Sequence, residues 1–264
     1  MNIARPLALL LTSFIPMAQA KSPSESVHLR PTFAAGQMYS NVFSILHSIK
    51  ADGYDELTRR NGGSADYTAV AAGPDVWRFE LAYRYDGSPA AKASIELREN
   101  GTVQCVLKAE GKQECQPYHD GSGLAFNLGM WGTPPPHLAA GMSWTVALKD
   151  AWELGGANGT EKVTVVSTDP ATDTVVLMRE GSATGFNDGE PQQTKLTHNG
   201  QEETLEKVPG LAHWKGYGVF VKGIVFADSL LVTRDLALKD QNGKSIPAAE
   251  RWIMLLNSAP YPSL

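Results

Sequence analysis

A histidine beside an acid, and a serine among glycines, are the residues in this sequence that could carry out catalysis. His119 precedes Asp120, as a general base would lie beside the acid that orients it. Ser122 follows, but its context, Asp120-Gly121-Ser122-Gly123-Leu124, lacks both glycines that frame the serine of a nucleophile elbow. No Ser-x-x-Lys or His-Glu-x-x-His pattern occurs in the chain. We therefore expect a loop histidine near a capping aspartate, and no catalytic residue.

The other ionisable residues do not form a metal or cofactor motif. The remaining histidines are far apart in sequence, so no close pair of metal ligands is present. Asp240-Gln241-Asn242-Gly243 begins like a calcium loop but lacks the third oxygen ligand and the distant glutamate, and it predicts a hairpin turn. Neither a phosphate-binding glycine loop nor a dinucleotide fingerprint occurs. We expect no metal and no cofactor.

Two apolar and aromatic stretches are candidates for binding an apolar ligand. Residues 121–142 form a long connection, which in a compact domain is usually functional or disordered, and this one is too apolar for disorder. Residues 211–218 hold histidine and aromatic side chains between glycines, although a strand that enters the core explains the same residues. The predicted ligand contacts are Leu124, Phe126, Leu128, Met130, Trp131, His213, Trp214 and Tyr217.

The apolar side chains of the first stretch must avoid water in some way. Each large apolar side chain gains roughly 1.5–3 kcal/mol by burial, so these residues line the core, contact a ligand or bind a partner. Our hypothesis is a movable cover over an open end of the fold, with Pro134-Pro135-Pro136 as its stiff arm.

Alternation of apolar and polar residues indicates that strands position these candidates. In Val76–Tyr85 the side chains of Trp77, Phe79, Leu81, Tyr83 and Tyr85 share one face. Residues 38–50 fit either a strand or a short N-terminal helix, and we favour the strand because Asp52-Gly53 follows as a hairpin turn. We also predict a strand over residues 218–227. The predicted fold is all-β, a curved antiparallel sheet of half-barrel or barrel-like form.

Two predicted hairpins place the cysteines. A three-residue loop at residues 99–101 would pair Leu97 with Val103, and a three-residue loop at 109–111 would put Cys105 opposite Cys115. Directly opposed residues in an antiparallel pair lie about 4.5–5.5 Å apart between Cα atoms, which is within disulfide reach. We predict a disulfide between Cys105 and Cys115, a bond typical of an oxidising compartment.

The N-terminus has the pattern of an export signal. Arg5 precedes an apolar run that is too short for a comfortable membrane span, and Ala18-Gln19-Ala20 is a typical cleavage site. We expect a signal peptide over residues 1–20, cut after Ala20, and a single exported β-rich domain over residues 21–264 that does not span the membrane. The net charge of −5 and the lack of basic clusters argue against nucleic acid as a partner.

Strands that lead into one long apolar connection resemble the periplasmic half-barrels that carry lipid-modified proteins across the envelope. The resemblance implies a non-enzymatic periplasmic or secreted carrier for a lipid-like small molecule or an acylated protein. A second interpretation is an envelope protein that binds another protein through a sheet face or edge. A third is a hydrolase of envelope glycans or lipids, in which His119 or His213 would lie beside a carboxylate in a cleft.

Overall fold

The computed structural model describes residues 27–29, 33–72, 76–98, 101–107, 113–117, 131–148, 159–185 and 192–260. The strands are β1 (Met38–Ala51), β2 (Leu57–Ala72), β3 (Val76–Tyr85), β4 (Ala91–Arg98), β5 (Gly101–Leu107), β6 (Gln113–Pro117), β7 (Ser143–Leu148), β8 (Gly159–Asp169), β9 (Thr174–Thr184), β10 (Gln193–His198), β11 (Gln201–Val221), β12 (Ile224–Lys239) and β13 (Ser245–Pro260). Among these residues, no helix is long and apolar enough to cross a membrane.

All thirteen strands belong to one antiparallel sheet, which confirms the all-β prediction. Its order is β6-β5-β4-β3-β2-β1-β13-β12-β11-β9-β8-β7, and β10 also pairs with β11. Neighbours in the sheet are mostly neighbours in sequence, because short hairpins join them. The exceptions are the pairing of β9 with β11 and that of β1 with β13, which brings the two ends of the described chain together. In the described part of the chain, β6 and β7 form the two ends of this order, and β10 is a further edge strand because it pairs with β11 alone.

Residues 38–50 form a strand, as favoured, and β3 has the predicted bounds. The prediction of one strand over residues 218–227 is wrong. There the chain turns at Lys222 and Gly223, which both have positive φ angles, 52° and 74°. The turn joins β11 to β12. An apolar run on each side of the turn hid it, because Lys-Gly is a weaker turn signal than Asn-Gly.

One predicted hairpin register is confirmed and the other is wrong. Cys105 lies opposite Cys115, as expected. In the preceding hairpin Leu97 pairs with Thr102 instead of Val103, a shift of one residue. The prediction that apolar residues of β4 and β5 lie opposite one another is wrong because β4 has buried residues on both faces. Ile95 lies in the core, and Glu96 on the other face is buried while Arg78 donates to its carboxylate at 2.7 and 3.2 Å.

One face of the sheet, called the inner face below, carries three hydrophobic clusters. The large cluster packs between β7 and β12, and includes Trp131 and Trp214. The second cluster centres on Phe79 and Ile95 and the third on Leu205 and Leu238. Directly paired residues share a face in an antiparallel sheet, so the registers show that all three clusters lie on this side.

The sheet curls enough that β10 meets the turn between β1 and β2. The backbone amide of Asp55 donates to the carbonyl oxygen of Thr197 at 2.9 Å. The hydroxyl of Tyr54 donates to the carboxylate of Glu203 at 2.7 Å, and its ring lies 5.1 Å from that of His198. The third cluster fills the space inside this closed end.

The segment before β1 crosses the opposite end of the inner face. Val27 and Leu29 pack into the large cluster, and the amide of His28 donates to Asp173 in the β8–β9 turn at 2.8 Å. Farther along, the ring of Phe33 makes edge contacts with Tyr39, Trp77 and Phe79 in the second cluster. Both ends of the inner face are therefore filled by the chain itself.

Candidate functional site

Directly paired residues form rows that run across the inner face. The burial of the residues along these rows shows that one half of the face is packed and the other half is open. One row continues through six strands: His47, Trp252, Val232, Trp214, Gly181 and Glu161. Val232, Trp214 and Glu161 in this row are buried and Gly181 lies beneath Trp214, whereas Trp252 is only partly buried. The boundary between the packed half and the open half lies near β13.

In the packed half, large side chains lie over glycines. The indole of Trp214 covers Gly181, where an added Cβ would lie 2.3 Å from its Cζ2 atom. The indole nitrogen of Trp214 donates to Glu161 at 2.7 Å. The glycine therefore makes room for the tryptophan, and the carboxylate satisfies the one polar group of the ring. Trp214 is 3% exposed and is part of the core.

Trp131, a predicted member of the movable cover, is also a buried residue of the large cluster. It is 2% exposed and packs edge-to-face on Phe220, with ring centroids 5.3 Å apart. The Arg179 guanidinium lies 4.7 Å from its ring centroid, and the Trp144 indole donates to its carbonyl oxygen at 2.6 Å. The two ring contacts and the burial of the side chain leave no face of the indole for a ligand.

The remaining predicted contacts do not meet on one surface. His213 and Tyr217 are exposed on the outer face of β11, opposite to Trp214, because successive residues of a strand point to opposite faces. A ligand face shared by these three side chains is therefore not formed. Leu124, Phe126, Leu128 and Met130 lie outside the described residues, as do His119 and Asp120.

The open half of the inner face carries apolar side chains that are only partly buried, although four of them pack against the edges of the core clusters. We call it the central floor, and it lies on β13, β1 and β3. All of its side chains are partly buried except Tyr85, which is 53% exposed. Its members are Phe43, Ile45, Tyr83, Tyr85, Trp252, Met254 and Leu256.

Aromatic contacts shape the central floor. Phe43 lies over Gly63, where an added Cβ would be 2.7 Å from its ring, and it contacts Tyr85 edge-to-face at 5.6 Å. Tyr85 makes a second edge contact with Tyr83 at 5.7 Å. At the other end, Trp252 stacks on the imidazole of His47 with ring centroids 3.7 Å apart. The floor is thus a preformed aromatic surface, which is typical of sites for apolar ligands.

A buried ionic cluster borders the floor at its closed end. The carboxylate of Glu250, whose side chain is fully buried, accepts from Lys207 at 3.0 Å and from Arg234 at 3.1 Å. The His47 Nε2 atom lies 2.9 Å from the same carboxylate. Burial would raise the pKa of Glu250, but the hydrogen bond from His47 and the charges of Lys207 and Arg234 outweigh it and lower the pKa to about 2.

This cluster contains the histidine–carboxylate contact that the sequence placed elsewhere. A carboxylate with a pKa near 2 is a weak base, and its oxygens already accept from three side chains. The arrangement stabilises the sheet and positions the His47–Trp252 stack. His47 and Glu250 are 203 residues apart in sequence, so no local motif could have identified them.

Two further carboxyl groups are buried in the packed half. Burial raises the pKa of Glu161, and the charge of Asp228 adds to this effect, while Arg179 and the Trp214 hydrogen bond oppose it. Burial also raises the pKa of Asp228, again against Arg179, whose guanidinium lies 3.4 Å away. Glu161 is enclosed by the core, whereas Asp228 is about one-fifth exposed and lies opposite Leu256 at the margin of the central floor.

A separate shallow hollow of about 380 Å³ lies on β8, β9 and β11. Its lining contains no aromatic and no ionisable side chain, so it offers a ligand little specific chemistry. The lining residues are Gly159, Thr160, Ser182, Ala183, Thr184 and Leu211.

Neither a protein-family model nor a curated protein matches this sequence. Among solved structures, a mutant of Rh. blastica porin aligns with a TM-score of 0.24 and 8% identity, over 83% of this chain and 99% of that one. An outer membrane channel from Pseudomonas putida F1 aligns with a TM-score of 0.21 and 8% identity, over 91% of this chain and 100% of that one. These scores are too low for any argument about function.

Proposed function

We propose that this protein is an exported, non-enzymatic binding protein that holds an apolar ligand on the central floor. The observation that carries the proposal is the uneven filling of the inner face. Core clusters fill both ends and the β7–β12 half, yet seven apolar side chains between them retain contact with solvent. A contiguous apolar patch that keeps partial contact with solvent in a folded domain is a candidate binding surface.

The proposal of export rests on the sequence. The short apolar run followed by Ala18-Gln19-Ala20 is the pattern of a cleaved signal peptide, and the ligand would be bound in the periplasm or outside the cell. The carrier interpretation thus keeps its ligand class but moves the site, from residues 123–144 and 211–220 to β1, β3 and β13.

A fluorescence titration with the neutral apolar probe N-phenyl-1-naphthylamine tests the proposal. We expect saturable binding, and Tyr85→Ala to weaken it about tenfold because one large aromatic contact is lost. Tyr217→Ala is the matched control, since Tyr217 is 42% exposed on the outer face. Absence of binding, or equal effects of the two variants, would overturn the proposal.

The outer face supports a second candidate, which is binding to an envelope protein. Leu231 pairs with Ile253, which pairs with Leu46, and Leu255 and Val42 lie beside them, so an apolar strip crosses three strands. Val42 is 57% and Leu255 is 47% exposed. A photocrosslinking residue at Leu255 should then capture one discrete partner in cells, whereas the same residue at Lys50 should not.

A further inference from the structure

We infer that the ligand of the central floor is a single-chain amphiphile with an anionic head group, and that Arg59 binds this head group. The inference rests on the proposed function, because it names the class of molecule that the same site takes. It depends on which charged side chains border the floor and on which of them are already engaged.

Arg59 is the cation on the inner face that borders the floor and remains available. It pairs directly with His47 across β1 and β2, and its side chain is exposed. Lys207 and Arg234 are nearby but buried, and both donate to Glu250. Within the described part of the chain, Arg59 makes no ion pair. The pairing of β2 with β3 begins at Gly63, so β3 does not cover this part of β2.

The positions of Arg59 and of the floor residues along β1 and β2 determine the orientation of the ligand. Arg59 and His47 share one row, and Phe43 lies four residues farther along β1, opposite Gly63 and next to Tyr85. At about 3.3 Å per residue, the floor extends roughly 13 Å from the cation. An alkyl chain of medium length can lie on Ile45, Met254 and Phe43 while its head group reaches the guanidinium. A guanidinium binds carboxylate or phosphate oxygens in a bidentate manner, so either head group fits.

Arg60 provides a matched control. It follows Arg59 directly and is exposed, but it pairs with Leu46 on the outer face. Replacing either arginine by alanine changes the net charge of the protein equally, and only Arg59→Ala removes a cation from the floor.

Competition against N-phenyl-1-naphthylamine tests the inference with dodecanoate, dodecyl phosphate and 1-dodecanol. For the unmodified protein we expect one or both anions to compete about tenfold better than the alcohol, as expected for one charged hydrogen-bonded contact. Arg59→Ala should remove this advantage without weakening the alcohol, and Arg60→Ala should retain it. The better of the two anions then distinguishes a fatty acid from a lipid phosphate.

Three results would overturn the inference. Equal competition by the anions and the alcohol in the unmodified protein would mean that the floor takes apolar ligands without regard to charge, and the proposed function would stand. The same loss of anion preference in Arg59→Ala and Arg60→Ala would mean a general effect of net charge. If the neutral probe itself does not bind, the proposed function fails together with the inference.

Discussion

Glu250 and Glu161 lie buried on the same inner face, but their surroundings shift their pKa values in opposite directions. Three donors surround the Glu250 carboxylate, and the charged form is favoured despite its burial. Glu161 accepts one hydrogen bond, from Trp214, and its Oε1 atom has no partner among the described residues. Burial therefore dominates at Glu161 and raises its pKa. The two residues should affect stability in opposite pH ranges.

Glu250→Gln should destabilise the protein most at neutral pH. The pKa of Glu250 is lowered from 4.5 to about 2, so its contribution is present above pH 4.5 and is lost as the pH falls through 2. The shift corresponds to about 3 kcal/mol, and the variant also leaves Lys207 and Arg234 without their carboxylate. Urea unfolding at several pH values should show a difference from the unmodified protein that narrows below pH 4.5. A difference that is constant with pH would contradict this account.

Glu161→Gln should have the reverse pH dependence. Because the pKa of Glu161 is raised, its contribution is present below pH 4.5 and is lost as the pH rises through the raised value. A glutamine oxygen can still accept from Trp214, so the two proteins should be similarly stable near pH 4. Above that pH, the variant should become the more stable of the two in the same urea experiment. If the unfolding free energies of the two proteins depend on pH in the same way, the charged form of Glu161 does not reduce stability.

At the scale of single elements, alternation in the sequence predicted strands better than it predicted their partners. Val76–Tyr85 was identified with its buried face because five apolar residues alternate in it without interruption. The predicted β4–β5 register is wrong because Glu96 is buried while its partner Arg78 is half exposed, and a buried glutamate resembles an exposed one in sequence. Local patterns define an element, whereas its register depends on both faces.

The disulfide between β5 and β6 remains a prediction, and the register of these two strands supports it. Cys105 and Cys115 are directly paired, the arrangement in which two adjacent strands can be bridged. Exported protein, alkylated without reduction, should carry no label on either cysteine in intact-mass measurement. Cys105→Ala should lower the free energy of unfolding by about 2–3 kcal/mol under non-reducing conditions, and reductant should then have no further effect. Two labelled thiols before reduction would exclude the bridge.

At the scale of the whole molecule, the site follows from pairings that no local pattern contains. The central floor combines β1 and β3 with β13, and residues of β1 and β13 are about 200 positions apart in sequence. Continuous apolar stretches predict Trp131 and Trp214 as ligand contacts, but both are buried core residues. Their burial is explained by distant glycines: Gly218 lies under Trp131, and Gly181 lies under Trp214.

The curl of the sheet also depends on a long-range contact, and this contact can be tested alone. Tyr54 lies in the β1–β2 turn and contacts Glu203 and His198 on the hairpin formed by β10 and β11. Tyr54→Ala removes the hydrogen bond and the ring contact that close this end around the third cluster. Because β10 is bonded to only part of one strand, we expect its amides to lose protection when this contact is lost.

Hydrogen exchange followed by mass spectrometry should show faster exchange in residues 193–198 of Tyr54→Ala, with β7 and β8 unchanged. The free energy of unfolding should fall by about 1–2 kcal/mol, since the lost contacts are partly exposed. Tyr217→Ala removes a tyrosine from the outer face of the strand that pairs with β10, and it should leave the exchange of residues 193–198 as it is. If β10 stays protected in Tyr54→Ala, its pairing with β11 is sufficient to hold it. The central floor would then lie on a sheet whose curvature is set by strand twist alone.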